Sequence, residues 1–358
     1  MKTVSFVYPI NLDHPIGGLK VIYDYANYLA AKKINVNIIY AAYFKPTDKS
    51  LKKKIKAVLK YFYSFYRRFT KCSWFQVNSD IRETYVWELN ASNIPQSDVY
   101  IATSANSATY VDQLDEPPQK KFYFIQHFET FILPADEILK TYSFNLRKIV
   151  IANWLKKIVE EQQEHCVVVP NGFHFDEYKI TIPIENKNNK AISILYHESK
   201  TKDFATGLEA IKIAKKRHPD LEVLVFGVYN KPSNLPNWMK YIQNPSKEEH
   251  LRINNYAAIH VGSSKTEGWG LTIGEAMMCG QAVVCTDNDG YKEMAIDGRN
   301  ALLSPAGNPQ ALADNICKLL SNNELRIQLA HQGATDISQF DIQRSYEKFF
   351  NALELNCD

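Results

Sequence analysis

Short runs of Val, Ile, Tyr and Phe recur along this chain without polar alternation, and that recurrence limits the fold more than any other feature. Residues 4–8, 36–40, 99–102, 121–126, 149–152 and 166–169 are the strand candidates of the first half. Strands apolar on both sides are what a parallel sheet covered on both faces requires. Between the first two, Val21, Ile22, Tyr25, Ala26 and Leu29 fall on one stripe at helical spacing. Strand, helix and strand in that order form a βαβ unit, which predicts an α/β, doubly wound sheet.

The second half repeats the scheme, with strand candidates at 192–196, 221–226, 258–262, 282–286 and 301–303. Helices are expected at 204–217 and 274–279, and Ser246-Lys-Glu-Glu249 fits a capping box opening another. A chain of 358 residues exceeds one ordinary core and suits two domains of ~150–200 residues each. The polar stretch 181–190, with Asn186, Asn188 and Asn189, reads as the linker. Residues 1–180 and 181–339 are therefore expected to form two Rossmann-like domains facing each other across a ligand-binding cleft.

A net charge of +3 is too mild to indicate a nucleic-acid binder. The six cysteines are scattered with no C-x-x-C pair, which suits a reduced chain and argues against a metal or disulfide framework. No segment reaches the ~18–20 apolar residues needed to span a bilayer. The start reads as a first strand and not as a leader, so a cytoplasmic protein is expected. One stretch is unusual: residues 45–71 hold ten Lys or Arg against one acid, Asp48. Leu51, Ile55, Val58, Leu59, Phe62, Phe65, Tyr66 and Phe69 are interleaved, mostly at helical spacing. Such a basic amphipathic helix suits an anionic membrane surface, here the inner face of the cell membrane. The alternative is a solvated helix whose Lys stems cover apolar neighbours. No nucleic-acid recognition motif accompanies it.

The most informative stretch is Ser263-Ser-Lys-Thr-Glu267-Gly-Trp-Gly270-Leu-Thr-Ile-Gly274-Glu275-Ala-Met-Met-Cys-Gly280. It follows a strand candidate and opens a helix whose first N–H groups are unpaired and carry partial positive charge. Gly268 and Gly270 let a ligand approach that backbone, and a pyrophosphate or a sugar hydroxyl is the natural guest. Two carboxylates beside a phosphate pocket, Glu267 and Glu275, need hydroxyls to face.

The phrase E-G-W-G-L-x-x-x-E-A-M-x-C-G resembles the signature of the GT-B nucleotide-sugar glycosyltransferases of family four, the group 1 type. The resemblance covers most of the chain. Pro15-Ile-Gly17-Gly18 resembles the family's first glycine loop, Val168-Val-Pro170-Asn171-Gly172 its turn at the end of the first domain, and residues 340–355 its last helix, which returns to that domain. It implies an N-terminal acceptor-side domain, joined by the helix at 340–358, and a C-terminal domain that binds nucleotide sugar. Glu275 would hold the donor ribose, Glu267 would sit beside the transferred sugar, and Gly268, Trp269, Gly270, Leu271 and Thr272 would line sugar and phosphates. Gly17 and Gly18 would admit the pyrophosphate. His127, in Phe124-Ile-Gln-His127-Phe-Glu129, would hydrogen-bond the sugar, with Glu129 assisting.

The sequence departs from the family after the first strand of the second domain. An Arg, with a Lys five residues later and then Gly, is replaced by His197, Lys202 and Asp203. Lys202 matches the Lys, and His197 or Lys200 would take over the second charge, although neither reproduces a bidentate Arg. Asp287-Asn-Asp289 has the D-x-D form that binds metal in the other large glycosyltransferase fold, but its place in the chain argues against that, and neither metal nor other cofactor is expected. The resemblance implies transfer of a hexose or deoxyhexose from a nucleoside-diphosphate sugar to a glycan or lipid-linked acceptor, usually with retention, in bacterial surface polysaccharide synthesis. A sugar-nucleotide epimerase or a non-catalytic nucleotide-sugar-binding protein are the alternatives.

Overall fold

Every strand ladder among the described residues is parallel. The computed structural model describes residues 2–8, 15–43, 55, 58, 59, 62 and 74–355. The chain divides into two units, one of residues 1–171 with 343–358 and one of residues 172–342.

The first unit carries a seven-stranded sheet in the order β3-β2-β1-β4-β5-β6-β7. Its strands are β1 (Thr3–Tyr8), β2 (Asn35–Tyr43), β3 (Arg82–Glu88), β4 (Val99–Ala102), β5 (Lys121–Ile125), β6 (Arg147–Val150) and β7 (Cys166–Val168). The second unit carries a six-stranded sheet in the order β10-β9-β8-β11-β12-β13. Its strands are β8 (Asn188–Leu195), β9 (Glu222–Gly227), β10 (Met239–Gln243), β11 (Ala257–Gly262), β12 (Ala282–Asp287) and β13 (Ala301–Pro305). Helices connect most successive strands among the described residues, so each unit is a doubly wound α/β domain. Central strands β4, β5 and β11 are buried along their whole length, which explains their unbroken apolar runs.

Two strands escaped the sequence reading, β3 and β10, and both are sheet edges. An edge strand keeps one side in water, so Arg82-Glu-Thr and Met239-Lys-Tyr lack the continuous apolar signal. The expected helices agree more closely. The helix Phe204–Arg217 has the predicted bounds, and Ser246 and Glu249 make both capping-box bonds at the start of the helix Lys247–Tyr256. The stretch read as a linker lies inside the second unit. Ile184 is buried in its core, and the buried Lys187 donates to the carbonyls of Asn254 and Asn255.

The C-terminal segment closes the core of the first unit. On the helix Ile342–Ala352, Phe349 stacks on Tyr25 at 4.1 Å between centroids and meets Phe124 edge-on at 5.3 Å. Burying an aromatic side chain of this size contributes ~1.5–3 kcal/mol before entropy is counted. No helix among the described residues is long and apolar enough to cross a membrane.

In each sheet the strand order reverses once, between β1 and β4 and between β8 and β11. The loops leaving the carboxyl ends of those strands diverge and open a crevice, the general ligand position in such sheets. That topology brings together, in the second unit, the loop after β8 and the loop after β11.

Candidate functional site

Lys202 and Glu267 meet at this reversal point. The Lys202 ammonium donates to both carboxylate oxygens of Glu267, at 2.7 and 2.8 Å. Ser264 donates to Glu267 Oε1 at 2.7 Å, and Tyr291 donates to Ser264. Asn288 and Thr286, at the end of β12, donate to the Ser264 carbonyl. Two further bonds tie the loops together, from Ser263 to the Lys202 carbonyl and from Lys265 N–H to the Thr201 carbonyl. A charge-assisted pair held from four sides in this way is preorganised. Gly290 permits the arrangement, since a Cβ there would come within 2.4 Å of the Glu267 carbonyl.

The helix Leu271–Met278 begins four residues after Glu267. Its N-cap is Gly270 at φ +107°, a left-handed conformation, and a Cβ there would also strike the Tyr291 ring. The glycine is therefore required by the turn itself, a reason independent of ligand approach. Leu271 and Thr272 are half-buried in the first turn, whose N–H groups have no partner within the helix. Gly268 is buried, and so is the Trp269 ring, which is 3% exposed and meets Phe340 edge-on at 5.2 Å. Trp269 is expected to line sugar and phosphates, and with its ring packed away only its backbone can do so.

Glu275 is on the same helix with its side chain 14% exposed. Beside it lie Tyr178 and His250, which donate and accept across 2.9 Å, and His250 Nδ1 is 4.0 Å from Glu275 Oε2.

The residues that replace the family pattern have local reasons. Asp203 adopts φ +42°, ψ +47°, a left-handed conformation that glycine enters freely and Asp better than most. Its carboxylate accepts from Thr206 and lies 3.3 Å from the Lys265 ammonium. His197 accepts the Ser199 N–H through Nδ1, while Nε2 faces the Tyr229 hydroxyl at 3.3 Å. An imidazolium would have to break the first bond, so this geometry favours a neutral ring and disfavours His197 as the second cation. Lys200 is exposed. Asp287 and Asp289 both pair with Lys292, at 3.0 and 3.3 Å. Among the described residues, no three His, Cys, Asp or Glu gather in a way that could hold a metal.

In the first unit, Gly17 and Gly18 open the helix Gly17–Ala31, and Gln126 donates to the Gly18 carbonyl at 3.2 Å. His127 follows. Its Nδ1 lies 2.9 Å from the Phe128 carbonyl, which only accepts, so Nδ1 carries a hydrogen. The exposed Phe131 ring and the Trp154 ring both meet the imidazole edge-on.

Glu129 anchors the same loop by accepting the Ala105 N–H at 2.6 Å, at the start of the helix Ala105–Asp112. Burial pushes its carboxyl up to about 7, against the opposing pull of that bond. Between the ordinary carboxylate range and about 7 the unfolded chain is ionised and the folded chain is not, so this group's contribution to stability falls as pH rises through that window. Glu129→Gln is therefore expected to gain ~1–2 kcal/mol relative to the parent between pH 5 and pH 8, measured by urea unfolding. A gap independent of pH would refute the assignment.

Tyr178, His250, Ser264 and Tyr291 were not read as site residues. Most act through contacts across elements, and only the three-residue spacing of Ser264 ahead of Glu267 could have hinted at one of them.

Fold and site together define a GT-B protein, with two parallel-sheet Rossmann-like units and a glycine-capped helix at the reversal point of the second. Residues 175–336 match the family described as glycosyl transferases group 1. A phosphatidyl-myo-inositol mannosyltransferase of Mycobacterium tuberculosis is 25% identical over 206 residues, 51% of this chain and 54% of that protein. The chain thus spans about half the length of the curated relatives it matches first. An uncharacterized glycosyltransferase of Methanocaldococcus jannaschii is 38% identical over 85 residues, 24% of this chain and 23% of that one. Among solved structures, Anabaena HepE in complex with UDP-glucose superposes with a TM-score of 0.73 at 14% identity, covering 99% of this chain and 100% of the other.

Proposed function

We propose that this chain transfers a hexose or deoxyhexose from a nucleoside-diphosphate sugar to a hydroxyl of a glycan or lipid-linked acceptor, with retention, in bacterial surface polysaccharide synthesis. The observation that carries the reading is the Lys202–Glu267 pair at the reversal point of the second sheet, one turn ahead of the helix that bears Glu275.

Departure of a nucleoside diphosphate leaves negative charge on the β-phosphate and positive character on the anomeric carbon. Lys202 and the first-turn N–H groups of the helix Leu271–Met278 stabilise the former without reorganising. Glu267 sits beside the transferred sugar, and Glu275 accepts from the ribose hydroxyls. The family resemblance assigns His127, in the first unit, a hydrogen bond to the transferred sugar. The departing phosphate oxygen takes the acceptor's proton, so no separate general base and no metal is required. The UDP-glucose bound to the structurally similar Anabaena protein makes a uridine nucleotide the first candidate.

A thermal-shift screen across UDP-, GDP- and dTDP-sugars tests this directly. A donor held at about 100 times its Kd stabilises the folded chain by ~2.7 kcal/mol and raises the midpoint. No shift with any donor would defeat the reading.

We also propose that residues 45–71 rest on an anionic membrane, which would bring a lipid-linked acceptor close. Most of that stretch lies outside the described residues, but Ile55, Val58, Leu59 and Phe62 are helical and exposed by 54%, 41%, 65% and 64%. Their spacing of three, four and seven places them on one face of a helix, next to the densest run of lysines. Binding to phosphatidylglycerol vesicles is expected to weaken with salt and to fall at least about fivefold when Lys52, Lys53 and Lys54 become Gln, since each basic group near such a surface contributes ~1 kcal/mol. Unchanged vesicle binding would contradict it.

A further inference from the structure

Three side chains from three segments of the second unit converge on one point: Tyr178, His250 on the helix Lys247–Tyr256, and Glu275 on the helix Leu271–Met278. The His250 ring lies edge-on to Tyr178, 5.5 Å between centroids, and 4.6 Å from the Phe226 ring. Its two nitrogens have different neighbours. Nε2 faces the amide nitrogen of Asn254 at 3.4 Å, and an amide nitrogen only donates. Nε2 is therefore the acceptor. Nδ1 lies 4.0 Å from Glu275 Oε2, and a carboxylate at that distance favours a hydrogen on the nitrogen nearest to it.

Both neighbours place the hydrogen of the neutral ring on Nδ1. Burial keeps the ring neutral by pushing it down to about 4. Nδ1–H then donates to the Tyr178 oxygen, 2.9 Å away. With its oxygen accepting, Tyr178 retains its own hydrogen for an outward bond. The Glu275 charge lies within electrostatic reach, since after burial it is the next largest influence raising the phenol. The hydrogen bonds thus run one way, from Asn254 through His250 to Tyr178.

We propose that Tyr178, oriented by His250 and Asn254, is a positioning residue that donates to the Glu275 carboxylate and turns it to read both ribose hydroxyls, which makes the site select ribonucleoside over 2′-deoxyribonucleoside diphosphates. The proposal rests on the assignment of Glu275 to the donor ribose given above. A carboxylate free to rotate would meet either hydroxyl equally well. One held by a phenol from one side presents a fixed pair of lone-pair directions, and removing one of two hydroxyls then leaves one acceptor direction unmet.

The test is calorimetric titration of the full chain with UDP, dUDP, GDP and dGDP, before and after Tyr178→Phe, with thermal midpoints recorded alongside. The parent is expected to bind one ribonucleotide about tenfold tighter than its deoxy form. Tyr178→Phe should cut that ratio to about twofold while leaving the affinity for the deoxy form unchanged. A ratio that survives the substitution overturns the proposal, as does an equal loss of affinity for both forms, which would mark Tyr178 as merely structural. A parent that binds none of the four, or shows no ribose preference, defeats instead the assignment of Glu275 on which the proposal rests.

Discussion

Glu275→Ala is expected to abolish transfer, and to do so through donor affinity. A carboxylate that accepts from two ribose hydroxyls makes two charge-assisted bonds, each worth ~1.5–3 kcal/mol, so donor Kd should rise by about 100-fold or more. The loss should persist when donor nucleotide is titrated alone, without acceptor. Glu275 is not part of the apolar core and its side chain keeps contact with solvent, so the thermal midpoint should hardly move. Donor binding that survives the substitution would refute the role.

Lys202→Ala is expected to act on a different quantity. Its ammonium is aimed at charge that grows as the diphosphate leaves, so kcat at saturating donor should fall ~10²–10³-fold while donor affinity falls less. The same change strips Glu267 of its cation and leaves that carboxylate, 8% exposed, with Ser264 as partner. A loss of ~1–3 kcal/mol of stability should accompany the kinetic effect. Lys202→Arg separates the two contributions, because it restores the charge beside Glu267 but not the geometry of a point cation. A normal kcat in Lys202→Ala would show that the phosphate is held by backbone alone.

Much of this architecture was legible beforehand because parallel strands buried on both faces leave an unmistakable trace. Residues 99–102 and the helix at 204–217 were read to their exact ends. One edge of each sheet, β3 and β10, was not, since polar residues interrupt its apolar run, whereas the opposite edges β7 and β13 were read. At the site, the glycines and acids of the stretch 263–280 were visible from spacing, but their reasons were only partly so. Gly270 is required by its left-handed backbone and by the Tyr291 ring pressed against it, and Tyr291 lies far from the motif that announces the glycine. Asp203 looked like a departure and proves to be a tolerable occupant of a left-handed position. His197 stands in sequence where a cation is expected, and in the fold its Nδ1 accepts the Ser199 N–H.

The chain's own order of residues determined the class of fold, the repetition of βαβ units and the identity of the acids, the lysine and the glycine cap, because each of these depends on neighbours within a few positions. Only the folded molecule decided which charges meet and which protons sit where. Lys202 reaches Glu267 across 65 positions and Tyr178 reaches His250 across 72, and such contacts come from strand order and loop closure, which no local pattern records.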